Sequence, residues 1–356
     1  MNRTRLKPEN IERVIVRGTN WVGDAIMTIP ALREIRRILP NAKITLATRS
    51  WSEGIFAGAD FVDEIMSVDT PGNRAVSISR QVSEWRSKRF ELAILFQNAF
   101  QAALIARLAG VPHRIGYATD GRGFLLTSPL TVPIWRKNRH EVFYYLNIAA
   151  ELEQKLSGTT SVPGRQPSIS LNLAKDRLET ARQTLLKEGA APGVPNIALV
   201  PGSTNSRAKR WPAVRYAKLG DLLSQRLGAN ILLIGAPDEL DVSQEVAALM
   251  TEPSVMLTGK TSLADAVAVL GVSDAVVTND TGPAHIAAAL DRPTVVIFGP
   301  TDPATTRPFS DLAVVVRDPP ECAPCMLRDC PIDHRCMTAI DPVAIYEKVL
   351  EIMNRK

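Results

Sequence analysis

Twice along this chain, short apolar runs of strand length alternate with stretches of helix length, and the two series are separated by "SGTTSVPGRQPS" at 157–168. Such alternation restricts a chain to parallel α/β sheets, because neighbouring parallel strands need a crossover long enough to hold a helix. In the first series the strand candidates are 13–17, 43–48, 62–66, 91–95 and 113–116, with helices near 24–38, 75–88 and 99–109. In the second they are 196–200, 230–234, 254–258, 274–278 and 293–298, with helices at 212–227, 238–249, 262–270 and 281–290. The Pro, Gly, Ser and Thr content of 157–168 marks a linker. The expected organisation is a doubly wound domain over 1–160, a second over 161–340, and a closing helix over 341–356. Asp341 would cap that helix and Pro342 would take its first position.

Composition narrows the class. No apolar run is long enough to span a bilayer, and the start "MNRTRLKPENIER" lacks the apolar stretch of a signal peptide, so a cytoplasmic protein is expected. A net charge of +5, from 42 Lys+Arg against 37 Asp+Glu, is too mild to mark a nucleic-acid binder, and none is expected as a partner. The positive charge is uneven, however. Arg74, Arg80, Arg86, Lys88 and Arg89 face one acid, Glu84, within 74–90, and Arg114, Arg122, Arg136, Lys137 and Arg139 face one acid, Asp120, within 113–140. These clusters read either as solvated surface or as attraction to an anionic substrate or an anionic membrane face.

All 4 cysteines lie within "CAPCMLRDCPIDHRC", as Cys322, Cys325, Cys330 and Cys336, with His334 among them. In a reducing compartment they are thiols or metal ligands. Their spacing is compact enough to wrap one ion, yet the stretch lacks the two separated C-x-x-C pairs of the commoner zinc pattern, so a packed loop is the other reading.

In open α/β sheets ligands collect beyond the carboxyl ends of the strands. Three loops there carry chemistry. "NDTGPAH" follows strand 274–278 and opens a helix, whose unpaired N–H groups with Thr281 and Gly282 suit an anion, with His285 one turn further in. Asp280 would repel a phosphate it faced, so it is expected to cap the helix or accept a sugar hydroxyl. "PGSTNSRAKRWP" at 201–212 supplies Ser203, Thr204, Ser206, Arg207, Lys209 and Arg210, hydroxyls and cations of the kind a diphosphate requires. Trp211 is costly to expose and argues against a plain surface loop. "GAPDELD" offers Glu239 as an acceptor for ribose hydroxyls. "SVMLTGKTS" ends like a P-loop, but Ser254 stands where that motif needs glycine, which excludes it. No G-x-G-x-x-G follows a strand and no D-x-D triplet is present to hold a divalent cation, so no cofactor and no metal are expected in the reaction.

A further loop, "RGTNWVGDAIMTIP" at 17–30, places Asp24 where a phosphate cradle would want no negative charge. Together "NWVGDAIMTIPAL" (20–32), "PGSTNSRAKRWP" (201–212), "LTGKTSL" (257–263) and "NDTGPAHIAAALDRPTVVIFGPTDPATTRP" (279–308) resemble, in this order, the ADP-heptose:lipopolysaccharide heptosyltransferases. The wording "NWVGD" and the loop ending "CPIDHRCM" are most similar to the type II branch of that family. The resemblance spans essentially the whole chain. It implies GT-B architecture, with two doubly wound Rossmann-like domains facing across a cleft, the first holding a lipid A-Kdo-heptose acceptor and the second an ADP-heptose donor. Asp24 then matches the general base of an inverting transfer. Lys209, Ser203 and Thr204 match the diphosphate loop, and Asp280, Thr281, Gly282 and His285 the second donor loop. Glu239 matches the ribose acid. Peripheral attachment to the inner membrane face is a further implication. The alternatives are the type I reaction, another sugar-nucleotide transfer on the same fold, or a non-catalytic nucleotide- or metal-binding module.

Overall fold

The apolar runs form two six-stranded sheets in which every neighbouring pair of strands is parallel. The computed structural model describes residues 8–69 and 72–355. The first sheet contains β1 (Arg13–Arg17), β2 (Lys43–Thr48), β3 (Glu64–Ser67), β4 (Leu92–Leu95), β5 (His113–Tyr117) and β6 (Ser128–Leu130), in the order β3-β2-β1-β4-β5-β6. The second contains β7 (Asn196–Val200), β8 (Asn230–Leu233), β9 (Val255–Met256), β10 (Ala275–Asn279), β11 (Thr294–Ile297) and β12 (Ala313–Val316), in the order β12-β11-β10-β7-β8-β9. Counted from its own first strand, each sheet has the Rossmann order 3-2-1-4-5-6. The expected α/β class and doubly wound topology are thus present in both halves.

Each unit has its own core. In the first, Ile15, Ala93 and Leu95 of the sheet pack with Trp85, Phe90 and Ile105. In the second, Ile197, Leu199, Val277 and Ile297 pack with Trp211, Tyr216, Ile345 and Val349. The closing helix Pro342–Met353, capped by Asp341 through its bond from the Val343 N–H, therefore belongs to the second unit's core. Among the described residues no helix is long and apolar enough to cross a membrane.

Several elements depart from the sequence reading. The edge strands β6 and β12 escaped it, as did the longest helix, Glu141–Ser157, whose buried face runs through Val142, Tyr145, Ile148, Ala149 and Leu152. The single helix expected over 24–38 is two, Val22–Met27 and Ile29–Ile38, meeting at Thr28. Pro30 lacks an N–H and its ring crowds the carbonyl one turn back, so the first helix ends and a second begins with proline in its first turn.

The chain divides between Ile169 and Ser170, later than the expected 160/161. The reason is local. Glu153 accepts bonds from Thr160 Oγ1 (2.9 Å) and the Ser161 N–H (2.7 Å) and pairs with Arg37 at 2.8 Å, while Arg165 pairs with Glu34 at 2.8 Å. These bonds keep 160–165 on the first unit, and the Leu171 N–H bonds the Ala289 carbonyl of the second at 2.7 Å. Burial opposes the Glu153 charge, but Arg37, the Ser161 N–H and the Thr160 hydroxyl outweigh it and bring the carboxyl down to about 2. A depressed carboxyl stabilises the fold fully above its unfolded value of about 4.3, and this contribution is lost as pH falls toward the folded value. Thermal melts should therefore show Glu153→Gln less stable than the parent at pH 7, with the difference narrowing between about pH 4 and pH 2.

Candidate functional site

In each sheet the first and fourth strands are neighbours whose connections leave in opposite directions, which opens a crevice at their carboxyl ends. In the second unit these strands are β7 and β10. The loop 201–212 leaves β7, and Asp280 and Thr281 leave β10. The sheet order thus brings together two segments far apart in sequence.

Asn279, fully buried at the end of β10, joins them. Its amide nitrogen donates to the carbonyls of Pro201 (2.9 Å) and Gly202 (3.2 Å), and its oxygen accepts from the Trp211 N–H (3.1 Å) and the Tyr216 hydroxyl (3.2 Å). Both ends of the loop are thereby fixed to β10. Lys209 closes the loop from above, donating through Nζ to the Asp280 carboxylate (2.7 Å) and the Asp280 carbonyl (3.0 Å). An ammonium carries three donors, so one remains. Asp280 also accepts from Thr301 Oγ1 at 2.7 Å. Its carboxylate is spent on Lys209 and Thr301 and does not cap the helix, contrary to one of the expectations raised by the sequence. Thr281 is the N-cap, and it makes no side-chain cap bond to Gly282–Ala289. The helix start therefore keeps donors for an anion. His285 is buried on the same helix.

Glu239 lies beneath the loop, buried, with Thr204 Oγ1 donating to one oxygen at 3.2 Å and the Ala236 N–H to the other at 3.0 Å. Burial pushes its carboxyl above the ordinary value, against the opposing pull of those two bonds. A Cβ on Gly202 would run into this carboxylate, which would have to move off its bonds from Thr204 and Ala236 to make room. Ser203 is buried and its carbonyl accepts from Arg210 at 3.2 Å.

Other residues of the loop serve its own support. Arg207 pairs with Asp329 at 2.6 Å, and the Ser206 hydroxyl donates to the Arg328 carbonyl at 3.2 Å. Trp211 is buried in the core, edge-on to Tyr216 at 4.9 Å, with Nε1 donating to the Ile340 carbonyl at 3.2 Å. Packing accounts for that tryptophan, so it carries no argument for a ligand. The cationic character read from the sequence reduces at the crevice to Lys209.

In the first unit Asp24 occupies the first turn of Val22–Met27, half-buried, and its negative charge reaches the hydroxyl of Tyr145. Burial first, and Asp24 second, push that hydroxyl well above its ordinary value. The same unit has a cavity of about 420 Å³ at the strand ends, whose lining includes Arg17, Arg49, Arg74, Asn20, Gln97 and Asp120. Arg17 donates to the carbonyls of Gly18 (2.7 Å) and Ala47 (3.3 Å) and to Asn20 Oδ1 (3.3 Å), and among the described residues no carboxylate hydrogen-bonds it. Burial and the nearby Arg49 lower it to about 10, with Asp69 opposing. A buried cation at the base of a cavity favours an anionic occupant.

Much of the remaining positive charge of this half has structural work. Arg122 is fully buried and donates to the carbonyls of Tyr117 (2.8 Å) and Gln97 and to Asn98 Oδ1 (3.0 Å). Arg136 pairs with Glu141 at 2.9 Å over the Tyr144 ring, and Arg86 donates to the Leu108 carbonyl at 2.6 Å. Sequence reasoning passed over Arg17, Asn279 and Thr301. Of these, only Asn279 gave a signal, as an amide at a strand end just before a loop rich in anion-binding residues.

Paired Rossmann-like units with an anion-ready crevice are the architecture of the GT-B glycosyltransferases. The pattern of glycosyltransferase family 9 (heptosyltransferase) matches residues 78–335, and this chain belongs to that family. It is 31% identical over 320 residues to lipopolysaccharide heptosyltransferase 2 of Salmonella typhimurium, covering 86% of this chain and 88% of the relative. It is 26% identical over 326 residues to lipopolysaccharide heptosyltransferase 1 of Pseudomonas aeruginosa, covering 89% and 87%. The solved structure of Escherichia coli ADP-heptose lps heptosyltransferase II superposes with a TM-score of 0.80 at 25% identity, covering 96% of this chain and 99% of that one.

Removing the Asn279 amide severs four buried bonds at about 0.5–1.5 kcal/mol each. Asn279→Ala should lower stability by about 2–6 kcal/mol in denaturant unfolding.

Proposed function

We propose that this chain is an inverting transferase that moves L-glycero-D-manno-heptose from ADP-heptose to the first heptose of the lipopolysaccharide inner core, the type II reaction. The Lys209–Asp280 pair at the β7/β10 crevice carries this reading, because it aims an ammonium with a spare donor beside the uncapped start of Gly282–Ala289. A diphosphate is the ligand whose charge and reach match both. Ser203, Thr204, Thr281, Gly282 and His285 complete its surroundings, and Glu239 is the acceptor for ribose hydroxyls. Type II is favoured over type I by the relatives, since the type 2 enzymes of Salmonella typhimurium and Escherichia coli are 31% and 30% identical and the Pseudomonas aeruginosa type 1 enzyme 26%.

In the proposed step an acceptor hydroxyl oxygen attacks the anomeric carbon as the bond from that carbon to the diphosphate oxygen breaks. The hydroxyl proton passes to the Asp24 carboxylate, and ADP departs with the bonding pair. A helix start favours the ionised form of an acid in its first turn, which suits a base. Lys209 and the N–H groups of Gly282–Ala289 take up the charge that develops on the leaving group, being fixed before the reaction begins. No divalent cation is assigned a role. The first unit receives the acceptor, and the Arg17, Arg49 and Arg74 cavity takes one of its anionic groups. Peripheral docking on an anionic membrane face is supported by the turn Ile134–Asn138, where fully exposed Ile134 stands beside Lys137 and Arg139.

Transfer assays with ADP-heptose and acceptors bearing no heptose or one heptose test this reading. Product with the one-heptose acceptor is expected, and exclusive use of the acceptor without heptose would assign the type I reaction instead. Asp24→Asn should reduce transfer by a factor of about 10² or more while ADP affinity, measured by calorimetry, stays unchanged. Lys209→Met should weaken ADP binding by about 10–100-fold, the worth of a charge-assisted bond. Retained transfer in the Asp24 variant would remove it as the base.

A further inference from the structure

Between β12 and the short helix Arg335–Thr338, the chain from Arg317 to His334 has no regular secondary structure. Irregular segments longer than about 12–15 residues are uncommon in compact domains and need something to hold them. Apolar packing does not supply it, because Met326, Leu327 and Ile332 are exposed. The segment nevertheless meets the donor-side loop at specific points. The Ala208 N–H donates to the Arg328 carbonyl at 2.9 Å, and a ring nitrogen of His334 lies 2.6 Å from the Ala208 carbonyl. Ala208 immediately precedes Lys209, so this segment supports the turn that aims the ammonium.

Three of the chain's cysteines fall in this stretch and the fourth, Cys336, in the helix Arg335–Thr338 that follows it, and all four line one cavity of about 20 Å³ against Ala208 and Pro300. None is in a disulfide. A void of this size has room for about one small occupant, and four convergent thiols are a ligand set for a soft tetrahedral cation. Among the described residues no three His, Cys, Asp or Glu side chains already stand as a coordination shell. The four cysteines line the void, and a bound ion would have to draw their thiols in, as in sites whose formation is coupled to metal.

We propose that Cys322, Cys325, Cys330 and Cys336 together hold one thiophilic metal ion, zinc or iron(II), which pins the 317–334 segment against the Ser206–Lys209 turn. The ion takes no part in the transfer. Its effect on the donor site rests on the function proposed above, whereas the site itself does not.

The test uses the full chain, purified and reconstituted with zinc or iron(II) under reducing conditions. Elemental analysis should find about one equivalent of metal per chain, lost in Cys325→Ser/Cys330→Ser. Cobalt(II) in its place should give thiolate-to-metal charge-transfer absorption. Less than about 0.1 equivalent in the parent chain, or full retention in a folded double variant, overturns the site. Should the variant fail to fold, chelation of the metal from the parent chain replaces it. Metal loss should speed proteolysis within 317–334 and weaken ADP binding at least about fivefold. Unchanged proteolysis and ADP affinity after metal loss overturn the pinning. Metal content needs no turnover, so a chain that holds the ion but transfers no heptose would overturn the activity and leave the site standing.

Discussion

The right-handed crossover between parallel strands is the constraint on which both units depend. Strand order reverses in each sheet at its first and fourth strands, β1 with β4 and β7 with β10, and there a crossover of fixed hand sends the connections to opposite faces. Because the connections from those strands leave toward opposite faces, backbone cannot fill the space between them. The chain uses both crevices. Arg17, Asn20 and Gln97 converge at one, and Lys209, Asp280 and the start of Gly282–Ala289 at the other.

Polar groups at these crevices are buried at a cost that only complete hydrogen bonding offsets. Asn279 meets that condition with four partners, and Asp280 with Lys209 and Thr301. Arg122 does the same with the carbonyls around Gln97. These bonds tie the loops to the strand ends, and Trp211 anchors one of them in the core as well. Arg17, like Arg122, bonds neutral oxygens, but it lines an open cavity and Arg122 does not. That contrast distinguishes a charge enclosed by the scaffold from one at the wall of a cavity.

Most of the sheet was legible because strands buried on both faces read as continuous apolar runs. The edge strands β6 and β12 were harder to read. Ser128–Leu130 is short and contains Pro129, and the residues of β12 beyond Ala313 are only partly buried. Sequence also overstated the cationic loop. Arg207 and Arg210 look like phosphate ligands, but one pairs with Asp329 and the other holds the Ser203 carbonyl. Trp211 looked out of place on a surface loop because nothing local reveals that the loop dips into the core. Asp280 posed a charge conflict that the Lys209 ammonium, 71 positions away, resolves.

The sequence by itself determined the class of fold, the two-unit organisation and the strand-to-helix loops that carry the candidate residues, because periodicity and strand-to-helix punctuation are local properties of a chain. It also determined that the cysteines lie together. Tertiary structure alone decided which polar residues meet at the crevices and which bond the scaffold, since a side chain's partners are brought near by strand order. Lys209 meets Asp280, and Asn279 meets Pro201, only because β7 and β10 lie side by side, and no spacing along the chain encodes that adjacency.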